Sequence, residues 1–441
     1  MAGRWIAIFG TLALAGSAWA AEPLAVAKPG DLPPFGIPTT GDAGPLPTGK
    51  SVSRPLQVVE PPELIEAKPA DKPGQLDADL IRKEADKPLG ASWSSYEVLV
   101  WWPKTSALPP LATAGRGPNA PTLGGPNTLV LVGGGTSESR DVAGGRFTFG
   151  SPVNEAQTAG LAVTYFFLGS RTSAITIDER TRSIGRPFTD AATGQPSAFP
   201  VNLPGGQIGS LDVSTTSRVT GWEINGIANL YSGPELRLNA IAGYRYFMIN
   251  EGLRIDQTVL LPGSPNGPAI MASMADQFDA HNRFHGGQFG LTADLSHGPV
   301  FVEATGKVAL GQATNVVQVS GQTVALAAGF PIPAVQYFNG GVLAQPTNSG
   351  RFVRSGFAVL PEATLKVGYR FHDRSRLYVG YNFIYLSEAV RPGDQVDTAL
   401  DPSQVPLFPK PGGNAVERPV PTLLRSDFWV QGLMFGVQYR Y

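Results

Sequence analysis

Cysteine is absent from the 441-residue chain, which removes disulfide scaffolds, thiolate zinc sites, iron–sulfur ligation, cysteine nucleophiles and an acylated lipoprotein N-terminus together. Charge is sparse and balanced. Only 16% of residues are charged, and 34 basic against 35 acidic side chains leave a net charge of −1. Such a chain lacks the counterion-release attraction that drives nucleic-acid binding, so no nucleic-acid partner is expected. Past the N-terminal segment no apolar run approaches the roughly 18 residues of a membrane helix, which excludes a helical membrane protein. What the chain has in excess is glycine (53) and proline (40). These are the two poorest residues for a helix interior, and their abundance argues against long helical bundles.

The N-terminus reads as a secretory signal over residues 1–20: a basic start at Arg4, an apolar stretch from Trp5 to Ala15, and small residues ending Ala18-Trp19-Ala20. Residues 21–90 change character. Proline recurs every few positions, aromatics are nearly missing, and apolar residues follow neither a 2.0 nor a 3.6 period. This stretch cannot bury enough surface to offset its chain entropy, and it reads as a disordered periplasmic tether.

From residue 91 to 441 the texture becomes strand-like. Stretches of about ten residues place apolar side chains at every second position, the period of a strand with one apolar and one polar face. The candidates are Tyr96–Trp102, Gly145–Phe149, Gly160–Leu168, Val219–Leu230, Leu236–Phe247, Gln288–Leu295, Val300–Leu310, Phe357–Phe371, Leu377–Leu386 and Asp427–Tyr441. Four joins are tight (Ser151–Thr158, Ser232–Glu235, Ser296–Pro299, His372–Ser375). Between them lie long loops at about Ser170–Ser217, Met248–Phe284, Gly311–Ser355 and Ser387–Ser426. Short turns at one end and long loops at the other are the layout of a transmembrane antiparallel β-barrel. An even strand count returns both termini to one side, and ten satisfies it. Thr128–Val132 is assigned to the first long excursion, Lys104–Gly144, with twelve strands as the alternative count.

Projecting the alternation sorts side chains by face. Toward lipid go Leu161, Val163, Tyr165, Phe167, Leu365, Val367, Tyr369, Leu377, Val379 and Tyr381, all uncharged, with aromatics near strand ends as a membrane-interface girdle requires. Toward the lumen fall Arg146, Glu223, Arg237, Arg245, Asp294, Glu303, Lys307, Glu362, Lys366, Arg370 and Arg440. These charges either create a transverse field in a channel or form an interior salt-bridge network that fills a narrow barrel. At the C-terminus Phe435, Val437, Tyr439 and Tyr441 alternate on one face and end the chain on an aromatic, resembling the signal by which outer-membrane barrels engage their assembly machinery.

The passages Tyr96–Gly115, Gly144–Gly150, Gly160–Arg171, Leu238–Ile255, Leu365–Asp397 and Arg418–Tyr441 carry a family resemblance. With Phe166-Phe167-Leu168-Gly169 and Tyr244-Arg245-Tyr246-Phe247 as the most specific stretches, residues 92–441 resemble beta-barrel protein family seven, the outer-membrane proteins abundant in planctomycetes. The resemblance implies an outer-membrane location and a barrel fold. The family carries no assigned activity or catalytic residues to transfer.

The remaining chemistry is thin. His281 and His285 form an HxxxH pair, but the flanking residues run into a strand, where a spacing of four does not bring ring nitrogens together; no metal site is expected there. His297 and His372 fall in tight turns. A serine hydrolase needs a nucleophile, a base and an acid set together, and no motif places a serine beside these histidines. The glycine-rich stretch Gly124–Ser137 lacks the lysine and following helix of a phosphate loop. The reading is therefore a barrel with no catalytic, cofactor-binding or metal residues, with outer-membrane lipid and the barrel-assembly machinery as partners. Its role is structural or surface-interacting, performed by external loops rich in Gly, Pro, Asn and Gln; a solute pore is the alternative and an outer-membrane hydrolase the third choice.

Overall fold

The computed structural model describes residue 89 and residues 91–136, 141–263, 268–328, 334–407 and 416–441. The expected signal segment and, apart from Leu89, the tether lie outside the described residues.

Ten antiparallel strands close into a ring. They are β1 (Trp93–Pro103), β2 (Val142–Pro152), β3 (Ala159–Leu168), β4 (Ile208–Ser232), β5 (Leu236–Leu261), β6 (Ile270–His297), β7 (Val300–Ala327), β8 (Gly350–His372), β9 (Ser375–Ala389) and β10 (Ser426–Arg440). Each pairs with its neighbour in sequence, and β10 returns to β1 in continuous register from Trp93↔Arg440 to Pro103↔Val430. Closure leaves no open edge within the ring, which a spanning sheet requires because hydrocarbon offers no hydrogen-bond partners. The four tight joins fall where expected. In the β6–β7 turn Gly298 sits at φ 57°, a left-handed geometry that glycine adopts without strain. Leu129–Val132 stays out of the ring and pairs with Ala112–Gly115.

One expectation is corrected. The segments read as long loops at 248–284 and 311–355, and part of 170–217, are largely strand: β4, β5, β6 and β7 are 25, 26, 28 and 28 residues long. The cause is a change of solvent along one ribbon. On β5 the outward side chains run Tyr244, Tyr246, Met248 and then Asn250, Arg254, Asp256, while the inward ones run Arg245 and then Phe247, Ile249, Leu253, Ile255, Val259. Apolar residues move from even to odd positions with no break in the ladder to β6. The swap recurs on β6, from outward Leu291 and Phe289 to inward Phe284, Phe278 and Met274, and on β7, from outward Leu310 to inward Ala313, Val317 and Val319. Below it the outer face meets hydrocarbon; above it the outer face meets water and the inner face is dry.

What dries it is loop chain, so the connections do not simply face the environment. Ser183–Asp190, Pro196–Asn202, Ala112–Gly115, Leu129–Val132 and Ala399–Leu400 form a second sheet. Its Ile184, Phe188, Phe199 and Val201, with Leu111 just before its Ala112–Gly115 strand, pack with Leu253, Ile255, Met274, Phe278 and Val317 of the wall in one buried cluster. Phe188 and Phe199 stack at 4.7 Å. Above the membrane the molecule is thus built like a sandwich, two sheets sharing an apolar core.

Candidate functional site: the barrel lumen

The expected lumen charges converge. From the turn end inward, alternate positions of six strands place Glu97, Arg146, Glu223, Arg245, Lys307 and Glu362 in one buried group. Glu362 is the hub: its carboxylate meets Arg245, Lys307 at 3.2 Å and Arg146 at 3.4 Å, and accepts a hydrogen bond from Asn382 Nδ2 at 2.7 Å. Glu223 takes Lys307 at 2.8 Å and Arg245 at 3.4 Å, with Gln288 Nε2 donating to it at 2.8 Å. Nearer the turns, Lys366 bridges Glu97 and Glu303, each at 3.2 Å, and Arg376 reaches Asp294 at 2.9 Å and Glu303 at 3.6 Å. Buried charge at this density is tolerable only because each carboxylate has at least one cation beside it.

Arg237 and Arg440 line the cavity that this group encloses, which has a volume of about 190 Å³. Arg370 stands exposed at the turn end of β8, directly opposite Arg376 in the ladder. Two of the charges were missed by the sequence reading. Glu97 lies between outward Tyr96 and Val98, and Arg376 precedes outward Leu377; the same alternation that located the others marks both.

Above the charges the lumen turns apolar. Leu99, Trp101, Phe247, Phe284, Ile384, Phe428, Val430 and Met434 all have 0% exposure. An aromatic relay crosses from β1 to β10: Trp101 to Phe166 at 5.7 Å, Phe166 to Phe247 at 6.0 Å, Phe247 to Phe428 at 6.2 Å. Arg146 lies over Trp101 at 5.1 Å and so couples the two layers, while Arg391 caps Phe428 from the loop side at 5.4 Å. Arg391 also binds Glu251 of β5 at 2.5 Å and donates to the Lys104 carbonyl at 2.9 Å. Beside it, burial pushes the Asp394 carboxyl up, with Arg391 and Lys104 pulling the other way. Higher still, Arg186 of the loop sheet pairs with Asp276 of β6 at 2.5 Å, and the Leu343 and Ala344 amides donate to the same carboxylate at 2.9 and 2.7 Å. Neither pair was legible, because Arg186 and Arg391 sit on segments without periodicity.

Phe435, Val437, Tyr439 and Tyr441 are exposed on the outer face of the last strand and its end. Tyr439 and Tyr441 meet edge-on at 5.3 Å, and the Tyr441 hydroxyl lies 3.0 Å from Ser94 Oγ. His281 and His285 both point outward from β6, four positions apart, with His281 Nδ1 at 3.0 Å from Asn250 Oδ1. His297 pairs with Glu235 at 3.0 Å across an exposed turn, and His372 accepts from the Arg374 amide at 3.3 Å. Among the described residues no group of three or more His, Asp or Glu side chains is arranged to hold a metal ion. The Gly124–Ser137 stretch, described to Thr136, contains left-handed Gly124, Gly133 and Gly134 and no helix.

Residues 93–441 match the model of the family described as "Putative beta barrel porin-7 (BBP7)". No curated protein matches the chain. Among solved structures, it is similar to the outer membrane protease OmpT of Escherichia coli at 10% identity, covering 80% of this chain and 98% of that one with a TM-score of 0.39. The toluene transporter TodX of Pseudomonas putida follows at 8% identity, 80% and 90% coverage and a TM-score of 0.19. A FadL homologue of Pseudomonas aeruginosa is similar at 9% identity, 79% and 89% coverage and a TM-score of 0.21. At such identities and TM-scores, what those proteins do does not transfer to this chain.

Proposed function

This chain belongs to the beta barrel porin-7 family and is an outer-membrane β-barrel, and we propose that its lumen is sealed and that its role is structural or surface-interacting. The observation that supports this is the apolar layer above the charges. Trp101, Phe247, Phe284 and Phe428 fill the cross-section with no exposure, and ten strands enclose little more room than their own side chains occupy. A solute path would require these rings to separate. Truncating one such buried aromatic typically costs about 3–5 kcal/mol, a measure of how strongly the layer holds together. The reading assigns no catalytic step to the chain. Proteoliposomes carrying the refolded protein are expected to swell in iso-osmotic arabinose no faster than protein-free vesicles; protein-dependent swelling would reject the sealed lumen in favour of the pore.

The C-terminal strand is read as the segment presented to the assembly machinery. Phe435, Val437, Tyr439 and Tyr441 stand exposed on the outer face. Tyr441→Ala is expected to lower the yield of folded barrel in the outer membrane several-fold. The stability of the refolded protein should fall by no more than about 1.5 kcal/mol, the scale of the one hydrogen bond to Ser94 that is lost. Unchanged assembly yield would remove the assignment.

A further inference from the structure

We propose that the turn-end vestibule of the lumen is a binding site for a small divalent oxyanion of the phosphate class, held by Arg440 with Arg237, Arg370 and Arg376 around it. The starting observation is an accounting of partners. Glu97, Glu223, Asp294, Glu303 and Glu362 are each taken by one or more of Arg146, Arg245, Lys307, Lys366 and Arg376. Arg440 lines the same cavity, is half-buried, and among the described residues donates only its backbone amide, to the Arg374 carbonyl. A guanidinium carries five donors, and one left without an acceptor in a partly enclosed space is costly to hold.

Its surroundings raise that cost. Arg376, Arg237 and Arg370 are its like-charged neighbours, with Asp294 the opposing carboxylate. The ladder sets part of this geometry: Arg370 lies directly opposite Arg376, and Arg376 opposite Gln438, one step along the same face of β10 from Arg440. Like charges directly across a ladder destabilise the pair. By formal charge, the eight cations Arg146, Arg237, Arg245, Lys307, Lys366, Arg370, Arg376 and Arg440 exceed the five carboxylates Glu97, Glu223, Asp294, Glu303 and Glu362, and Arg237, Arg370, Arg376 and Arg440 gather at the turn end. A doubly charged oxyanion answers that surplus, and its oxygens suit the fork of the guanidinium.

The volume sets the size of the ligand. About 190 Å³ is below the roughly 300 Å³ at which drug-sized ligand pockets begin. It holds on the order of six waters, enough for one phosphate and part of its hydration. The apolar layer closes the far side, so the anion enters and leaves by the turn end.

Titration calorimetry of the full chain in detergent micelles with sodium phosphate tests the site. Saturable one-to-one binding is expected, with sulfate also binding and sodium acetate at least tenfold weaker. Arg440→Gln is expected to weaken phosphate at least tenfold, and the exposed rim variant Arg370→Gln about threefold, both keeping the heat-dependent gel mobility of a folded barrel. Should Arg440→Gln not fold, Arg370→Gln carries the comparison. Absence of saturable phosphate binding, acetate binding as tight as phosphate, or unchanged phosphate affinity in the folded variants would overturn the proposal. Swelling and phosphate binding are separate readouts, so a failure here leaves the sealed lumen standing.

Discussion

Replacing Glu362 by Gln is expected to destabilise the barrel by about 3–5 kcal/mol, the usual cost of leaving buried charges uncompensated. Glu362 stands between Arg146, Arg245 and Lys307, all buried. The amide keeps the shape and the acceptor for Asn382, so the loss is electrostatic rather than steric. Removing one cation as well should return part of it: Glu362→Gln with Lys307→Met is expected to recover roughly 1–3 kcal/mol relative to the single variant, because it takes away a surplus buried cation while Arg245 stays with Glu223. Denaturant unfolding in detergent, followed by tryptophan fluorescence, gives both numbers. A single variant within about 0.5 kcal/mol of wild type, the range of ordinary surface substitutions, would mean that the charges do not act as one network.

Asp276→Ala is expected to produce the second large effect, confined to the part above the membrane. The Asp276 carboxylate accepts from Arg186 and from the Leu343 and Ala344 amides. Its removal strands a fully buried guanidinium and two buried N–H groups. A local loss of about 3–5 kcal/mol follows from the charge alone. The ring of strands does not depend on this contact, so the variant should keep its heat-dependent mobility while trypsin cuts the connection containing Arg186 many times faster than in wild type. Unchanged cleavage would show that the loop sheet is held by its apolar contacts and not by this pair.

The ring itself was legible because one physical rule covers it. In hydrocarbon the outer face must be apolar at every second residue, so Tyr96, Val98, Val163, Tyr165, Val367, Tyr369, Phe435 and Val437 announce both strand and face. The lumen charges follow as the complement of that pattern. The rule fails where the solvent changes. At Phe247 the apolar positions on β5 shift from even to odd while the ladder continues, and a criterion of constant parity stops the strand there, some fourteen residues short of Leu261. A reading that lets parity invert once per strand would find the extensions of β5, β6 and β7, and would place the upper edge of the hydrocarbon near Tyr246. The pairings Arg186–Asp276 and Arg391–Glu251 are different in kind. They join residues far apart in sequence, on chain without a period, and only tertiary packing brings them together. The site was therefore half readable: the charged layer by alternation, the apolar layer and its ties to the loops through none of the local signals.

Leu99, Trp101, Phe247, Phe284 and Phe428 have no exposure in the lumen, and single-channel recording in planar bilayers tests most directly whether they shut it. The refolded protein is expected to insert without stable conductance steps. Trp101→Ala combined with Phe247→Ala and Phe428→Ala, which removes most of the aromatic relay, is expected to give steps from the same preparation. Uniform, long-lived open steps from the unaltered protein would show that the lumen is open.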